Sequence, residues 1–261
     1  MNELLALLLP AKVEYACLFF TRIAALVSTA PIFATASPWS GYRIAIAVAL
    51  TLVMLPALGD PAWHGPAFGA ALVPLVAREL IVGTFLGFVV VVAFAAVRGA
   101  GELVGAEMGL SLASMLDPTT GRQTSVIATL YQTLAGMIFL AVGAHRWVVA
   151  GLARSFERVP VGSFEMGAAP ATGVAQLLRG LFEASLALGA PVMTAMFLVT
   201  VVMGLLARAV PQLNILDVGF ALRIAAAIGA LLCLLPALRI GIEGLLETMR
   251  DSLVDALPAA R

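Results

Sequence analysis

Histidine and cysteine are nearly missing from this chain of 261 residues, at two of each. His64 and His145 form no H-x-x-x-H spacing and no cysteine cluster accompanies them, so the usual ligands of a zinc site cannot be assembled and a metalloprotease is excluded. Cys17 and Cys233 both lie in apolar runs, where two buried small hydrophobes are expected in place of a disulfide framework. Charge is scarce as well. Charged residues make up 11% of the chain, and its 15 Lys+Arg are balanced by 15 Asp+Glu, whereas an ordinary soluble domain is about 25% charged. That balance removes the electrostatic footprint of a nucleic-acid binder. A hydrophobic fraction of 62% and a mean hydropathy of +1.05 exclude disorder and a soluble enzyme domain alike. The N-terminal Met-Asn-Glu lacks a positive n-region and a small-residue cleavage pattern, so it is expected to be retained.

What is present is apolar sequence in long runs. Six stretches stand out, at about 13–35, 43–58, 72–97, 126–150, 181–210 and 218–242, each near the ~20 residues that cross a hydrocarbon layer at helical rise, although the second is short. In lipid every backbone N–H and C=O must be satisfied within its own segment, so these stretches are expected to be helices and strand content close to nil. Between them lie a Pro/Gly loop (Gly59 to Pro66), a central polar break (Gly99 to Ser125) and a longer connection (Arg146 to Gly180), and the tail from Glu243 turns amphipathic and acidic. One domain, 1–261, is expected, of all-α, integral-membrane type, with about six kinked or broken helices. If the segments alternate, Lys12, Arg78, Arg146, Arg154, Arg158, Arg179, Arg239, Arg250 and Arg261 share one side. Arg43, Arg98, Arg122, Arg208 and Arg223 share the other, which mildly favours both ends in the cytoplasm.

Charges and helix breakers interrupt these runs. Arg22 is flanked by Phe19, Phe20 and Ile23, and Arg78 and Glu79 interrupt the third stretch. At mid-membrane the latter two cost roughly 5–7 kcal/mol, and the Leu, Ile, Val and Phe residues from Leu75 to Val97 return about 4–8. The balance is near zero, so such a helix belongs in a multi-helix assembly or near an interface. Adjacent helical positions point about 100° apart, so Arg78 and Glu79 need partners on other helices. Pro31, Pro56, Pro74, Pro191 and Pro236 lie in or at the ends of the stretches, where they predict ordinary kinks or helices built in pieces around a water-filled passage.

Two local constellations carry the most information. In Gly99 to Ser125, glycines at 101, 105 and 109 recur every four residues and make a smooth helical stripe for close backbone approach. Arg98 and Glu102 form an i,i+4 pair, Asp117-Pro118 stops the helix, and Ser125 can cap the next one. The segment reads either as a helix-to-helix linker or as a deformable loop whose Met108, Leu110 and Met115 adapt to varied cargo. In Gly204 to Phe220, Arg208 suits the negative end of a finishing helix, Pro211 prevents its continuation, Asn214 can cap a new helix, and Asp217 favours its positive end. Gln212 and Asn214 need interhelical or intersubunit partners if buried. Met193, Met196 and Met203 share roughly one face, as a packing face would.

At these constellations the sequence resembles the FliR family, the R subunits of the flagellar type III export gate, related to the SctT subunits of injectisomes. The carrying strings are Arg208-Ala-Val-Pro-Gln-Leu-Asn-Ile215 with Val218-Gly-Phe220, and Gly105-Ala-Glu-Met-Gly-Leu-Ser-Leu-Ala-Ser-Met-Leu-Asp-Pro118. Arg22-Ile-Ala-Ala-Leu-Val-Ser-Thr-Ala-Pro-Ile-Phe33 and Gly143-Ala-His-Arg-Trp147, with Ser155-Phe156 and Pro160, support them. The resemblance implies one subunit assembling with FliP and FliQ into a helical gate contacted by FlhB and FlhA, in the bacterial inner membrane at the flagellar basal body. It also implies that much of the chain is lifted toward the periplasmic level. It makes about Ala106 to Arg122 the plug of the pore, with Met108, Gly109, Leu110, Met115, Asp117 and Pro118 its constriction residues. It makes Arg208, Pro211, Gln212 and Asn214 the assembly signature, and the cargo unfolded flagellar proteins.

Other classes fare worse. A secondary transporter of a small solute would also break its helices and carry intramembrane Arg and Glu, but it needs an inverted repeat and a midplane site, and neither is visible. Asp117 and Asp217, as an intramembrane protease pair, are already explained as turn and helix-start residues, and no nucleophile–base arrangement is present. No enzyme activity and no cofactor are expected.

Overall fold

A computed structural model of the chain describes residues 10–31, 41–58, 72–108, 125–164, 169–209 and 215–255. Among these residues it is all-α, with seven helices and no strand. They are α1 (Pro10–Thr29), α2 (Gly41–Leu58), α3 (Leu72–Glu107), α4 (Val126–Val142), α5 (Ala144–Arg158), α6 (Ala169–Ala209) and α7 (Ile215–Asp255). At 36, 41 and 41 residues, α3, α6 and α7 far exceed the ~20 residues that cross hydrocarbon.

Several boundaries differ from the sequence expectation for physical reasons. The polar break does not begin at Gly99, because α3 runs on through Glu107. Glycine in a helix interior costs only about 1 kcal/mol, and here Gly101 and Gly105 lie against the start of α4: a Cβ on Gly101 would come 2.7 Å from the Ala128 Cα. Several prolines do not interrupt a helix either. Pro56, Pro191 and Pro236 sit inside continuous helices, and Pro74 falls in the first turn of α3, where its missing N–H would have lacked a partner anyway. The fourth stretch divides instead at Gly143, which takes φ +75 between α4 and α5 and leaves them a bent pair. The first stretch stops at Thr29.

By length and composition α2, α3, α6 and α7 are candidate membrane spans, and α4 with α5 makes a fifth if the bent pair is counted as one. Among the described residues α1, with Lys12, Glu14 and Arg22 in 20 residues, is not one of these candidates. It is core. Leu18, Phe19, Ile23 and Leu26 are buried within the chain, on the same helix as Arg22.

The chain divides into two compact units, one of Met1–Val92, Gly143–Leu177 and Thr248–Arg261, the other of Ala93–Val142 and Leu178–Glu247. In the first, α2 packs on α1 and on α5. The buried positions of α2 are Ala47, Thr51 and Met54, one narrow stripe. The stripe of α5 is wider, running through Ala144, Val148, Gly151, Leu152, Ser155 and Phe156, and Gly151 meets Leu253 at the end of α7. Gly83 and Gly87 of α3 press on α1 at Arg22 and Thr29. In the second unit, Ser185 of α6 donates to the Ala96 carbonyl of α3 at 2.9 Å. Gly189 lies against Ala100, Gly241 of α7 against Leu188, and Phe94 against Phe139.

Cys17 and Cys233 are free and exposed, a correction to the expected burial. They lie on outward faces of α1 and α7, and in a chain of this composition an apolar neighbourhood does not mean an inner one.

The close α1–α3 approach yields a paired test. A Cβ at Gly83 would stand 2.7 Å from the Ala25 Cβ and meet the Arg22 carbonyl, whereas one at Gly136 meets nothing within 4 Å. Gly83→Ala is expected to lower stability by about 1–3 kcal/mol, and Gly136→Ala to raise it by about 0.5–1. Thermal unfolding in one detergent compares them, and equal melting temperatures would contradict the packing.

Candidate functional site

The first unit is organised around Arg22. Its position in α1 points it away from water, and its side chain is fully buried. A guanidinium there must find acceptors for its donors. Nε donates to Glu79 Oε2 of α3 at 2.6 Å, and both side chains have 0% exposure. Nη1 donates to the carbonyls of Ser155 at 3.0 Å and Val159 at 2.9 Å. Those carbonyls lie at the C-terminal end of α5, where the helix dipole favours a cation; the Ser155 carbonyl also accepts the Val159 N–H at 2.9 Å. Phe156 lies under the guanidinium, 4.4 Å from centroid to Cζ, and stacks on Phe19 at 3.8 Å with an interplanar angle of 7°.

Glu79 uses its second oxygen to complete the cluster. Oε1 accepts the Gly162 N–H at 2.8 Å, and Arg78 Nη1 donates to the Gly162 carbonyl at 3.2 Å. The neighbouring charges of α3 thus hold both sides of one residue in the turn after α5, where Gly162 takes φ +80, a conformation costly for residues with a Cβ. Among the described residues, Arg22 Nη2 and both carboxylate oxygens of Glu14, a residue of α1 that is 1% exposed, find no hydrogen-bond partner.

In the second unit the described structure reaches the edge of the 99–125 constellation. Met108 is 2% exposed, and its N–H bonds the Val104 carbonyl at 3.0 Å in the last turn of α3. Ser125 Oγ accepts the Ala128 N–H at 3.4 Å at the start of α4, and Gly105 lies directly against it. Arg98 and Glu102 pair at 3.0 Å on the exposed face. Gly109, Leu110, Met115, Asp117 and Pro118 lie outside the described residues. Arg208 closes α6 in its last turn and is exposed, α7 starts at Ile215, and Pro211, Gln212 and Asn214 lie outside the described residues. Met196 is fully buried, with Met193 and Met203 only partly so.

Sequence reasoning missed the partners of these charges. Ser155, Val159 and Gly162 act through main-chain atoms, which no residue type advertises. It also missed Arg223 of α7, whose Nε donates to the Glu107 carbonyl at 2.7 Å. A lone arginine in the apolar run after Phe220 was the available signal.

The arrangement holds helices and turns together and offers an outward surface. Among the described residues no His, Cys, Asp and Glu group could hold a metal ion. Much of the outward surface of α6 and α7 is apolar. Phe182, Phe197, Leu198 and Leu205 of α6 are exposed, as are Leu232 and Ile240 of α7. In the most apolar stretch of α3, 61% of residues are buried within the chain, against 22% in α6 and 11% in α7.

Comparison with known proteins gives concordant results. The profile of the family described as "Bacterial export proteins, family 1" matches residues 13–249. "Flagellar biosynthetic protein FliR" of Pectobacterium carotovorum subsp. carotovorum is 35% identical over 238 residues, 91% of this chain and 90% of that protein. The protein of the same name from Escherichia coli K12 is 31% identical over 236 residues, 90% of each chain. "Surface presentation of antigens protein SpaR" of Shigella sonnei is 27% identical over 154 residues, 59% of each.

The buried pair yields a stability test. Removing one member of a buried ion pair typically costs about 3–5 kcal/mol, because the other charge is left uncompensated. Arg22→Ala and Glu79→Ala are each expected to destabilise in that range, and the double variant by less than the sum of the two. Denaturation in mild detergent reads this, and additive effects would contradict coupling.

Proposed function

The chain belongs to the bacterial export proteins of family 1, and from that membership we propose that it is a structural component of the flagellar type III export apparatus, forming part of a gated conduit for unfolded flagellar proteins. It assembles with FliP and FliQ, is contacted by FlhB and FlhA, and resides in the bacterial inner membrane at the flagellar basal body, with much of the chain raised toward the periplasmic side. Its role is passive and non-enzymatic, with the driving energy supplied elsewhere.

The observation that carries this reading is the pairing of family membership across 13–249 with outward apolar faces on α6 and α7. Large exposed apolar patches mark surfaces to be covered by lipid or by other chains. A solute carrier would spend its buried charges on a ligand site. Here Arg22 and Glu79 are committed to each other and to the main chain of α5 and its following turn. Arg208, in the last turn of α6, together with Pro211, Gln212 and Asn214, forms the assembly signature.

Within the conduit, the segment from about Ala106 to Arg122 is the plug, and Met108, Gly109, Leu110, Met115 and the Asp117-Pro118 turn make its constriction. Opening is displacement of this loop with repacking at a two-state constriction. Deleting residues 108–116 is expected to make membranes holding the assembled complex leaky to small ions, read as ion flux. Unchanged permeability in an assembled complex would reject the plug role.

A further inference from the structure

Several exposed arginines of the long helices carry their own counter-ion one turn away. Arg98 pairs with Glu102 on α3 at 3.0 Å, Arg179 with Glu183 on α6 at 2.7 Å and Arg239 with Glu243 on α7 at 2.9 Å. The short helix α5 departs from this pattern. Arg146 and Arg154 both stand on its outside, and among the described residues neither guanidinium has a hydrogen bond or an ion pair.

Their placement follows from the helix itself. The buried stripe from Ala144 to Phe156 turns one side of α5 inward, so at 100° per residue Arg146, Ala150, Arg154 and Glu157 fall on the other, and all four are exposed. Two cations against one carboxylate leave that side net positive. Eight residues, about 12 Å of helix, separate the arginines, a spacing that suits an extended array of anions better than one small ion.

The surroundings say which kind of array. Within the first unit α2, a candidate membrane span, packs on α5, and its outward residues Ile44, Leu52 and Val53 are apolar. Trp147 of α5 is half-buried and lies under the Arg250 guanidinium, 5.5 Å from centroid to Cζ. An apolar outward face, a tryptophan and uncompensated arginines on one packed body are the composition met where acyl chains give way to headgroups. At 15 residues α5 is too short to cross the hydrocarbon by itself.

We propose that the outward side of α5 is a docking surface for anionic phospholipid headgroups, with Arg146 and Arg154 meeting the phosphates and Glu157 weakening the attraction. The inference goes beyond the conduit reading, because it assigns a lipid class to one helix and does not depend on how a conduit opens.

The test uses the full chain in its assembled export complex, held in detergent and titrated with short-chain phosphatidylglycerol or phosphatidylcholine, with bound lipid counted by native mass spectrometry. Phosphatidylglycerol is expected to bind more tightly than phosphatidylcholine. Arg146→Gln and Arg154→Gln should each weaken the phosphatidylglycerol affinity about fivefold, and together about 25-fold, with phosphatidylcholine unaffected. Glu157→Gln should tighten it a few-fold. Arg179→Gln, at an exposed arginine that already has its carboxylate, should leave it unchanged, and inorganic phosphate at the same concentration should not compete. Equal affinity for the two lipids, no change in the double variant, or an equal loss in Arg179→Gln overturns the proposal. Should the double variant lose a subunit of the complex, Glu157→Gln decides: tighter phosphatidylglycerol binding upholds the lipid surface, and an unchanged affinity makes α5 a contact for an acidic protein and overturns it.

Discussion

A guanidinium with no access to water is the constraint from which the first unit follows. Arg22 is fully buried, and the desolvation of an arginine is tolerable only when an opposite charge and several acceptors surround it. Glu79 supplies the charge, the end of α5 supplies carbonyls, and Phe156 supplies a ring face. Those requirements bring α1, α3 and α5 to one point. They explain why Gly83 of α3 sits where α1 passes, and why the turn after α5 carries a glycine whose N–H and carbonyl face Glu79 and Arg78. They also explain how α1 can carry Glu14 and Arg22 in a chain of mean hydropathy +1.05: both are buried within the chain.

The apolar side of the chain follows the opposite rule. Its charges in the Arg22 cluster are met from within, while the leucines, valines and phenylalanines of α6 and α7 are left facing outward. Lipid tails offer no hydrophobic penalty to such faces, and close packing against other helices is the alternative. The inward positions of the second unit are small where backbones approach, as at Gly101, Gly105 and Gly189.

The sequence announced the charges but not their company. Arg22, Arg78 and Glu79 stand out because charge inside an apolar run is expensive, and the all-α class follows because a long continuous apolar run in a bilayer satisfies its own backbone as a helix. Their partners are carbonyls and an amide of Ser155, Val159 and Gly162, and main-chain groups are alike in every residue type. The same blindness hid the Arg223–Glu107 contact. The breakers acted unequally. Proline was expected to kink the helices or leave them in pieces; Pro191 and Pro236 lie inside continuous α6 and α7, and the fourth stretch breaks at Gly143, because a left-handed φ ends a helix more decisively than a missing N–H in an exposed turn. The reading of Gly99 onward as a polar break failed for a related reason: glycine weakens an isolated helix but suits one pressed against a neighbour. Cys17 and Cys233 show that the usual equation of apolar with buried does not hold for this composition.

The central claim is that this chain pairs Arg22 with Glu79 and with main-chain carbonyls of its own, while in the assembly proposed above its outward apolar faces meet other polypeptides. The mass of the particle extracted from membranes in a gentle detergent tests it most directly. The account predicts a defined hetero-oligomer in which this chain is accompanied by other export components. A monodisperse particle holding one copy of this chain, stable and unaccompanied, would contradict it.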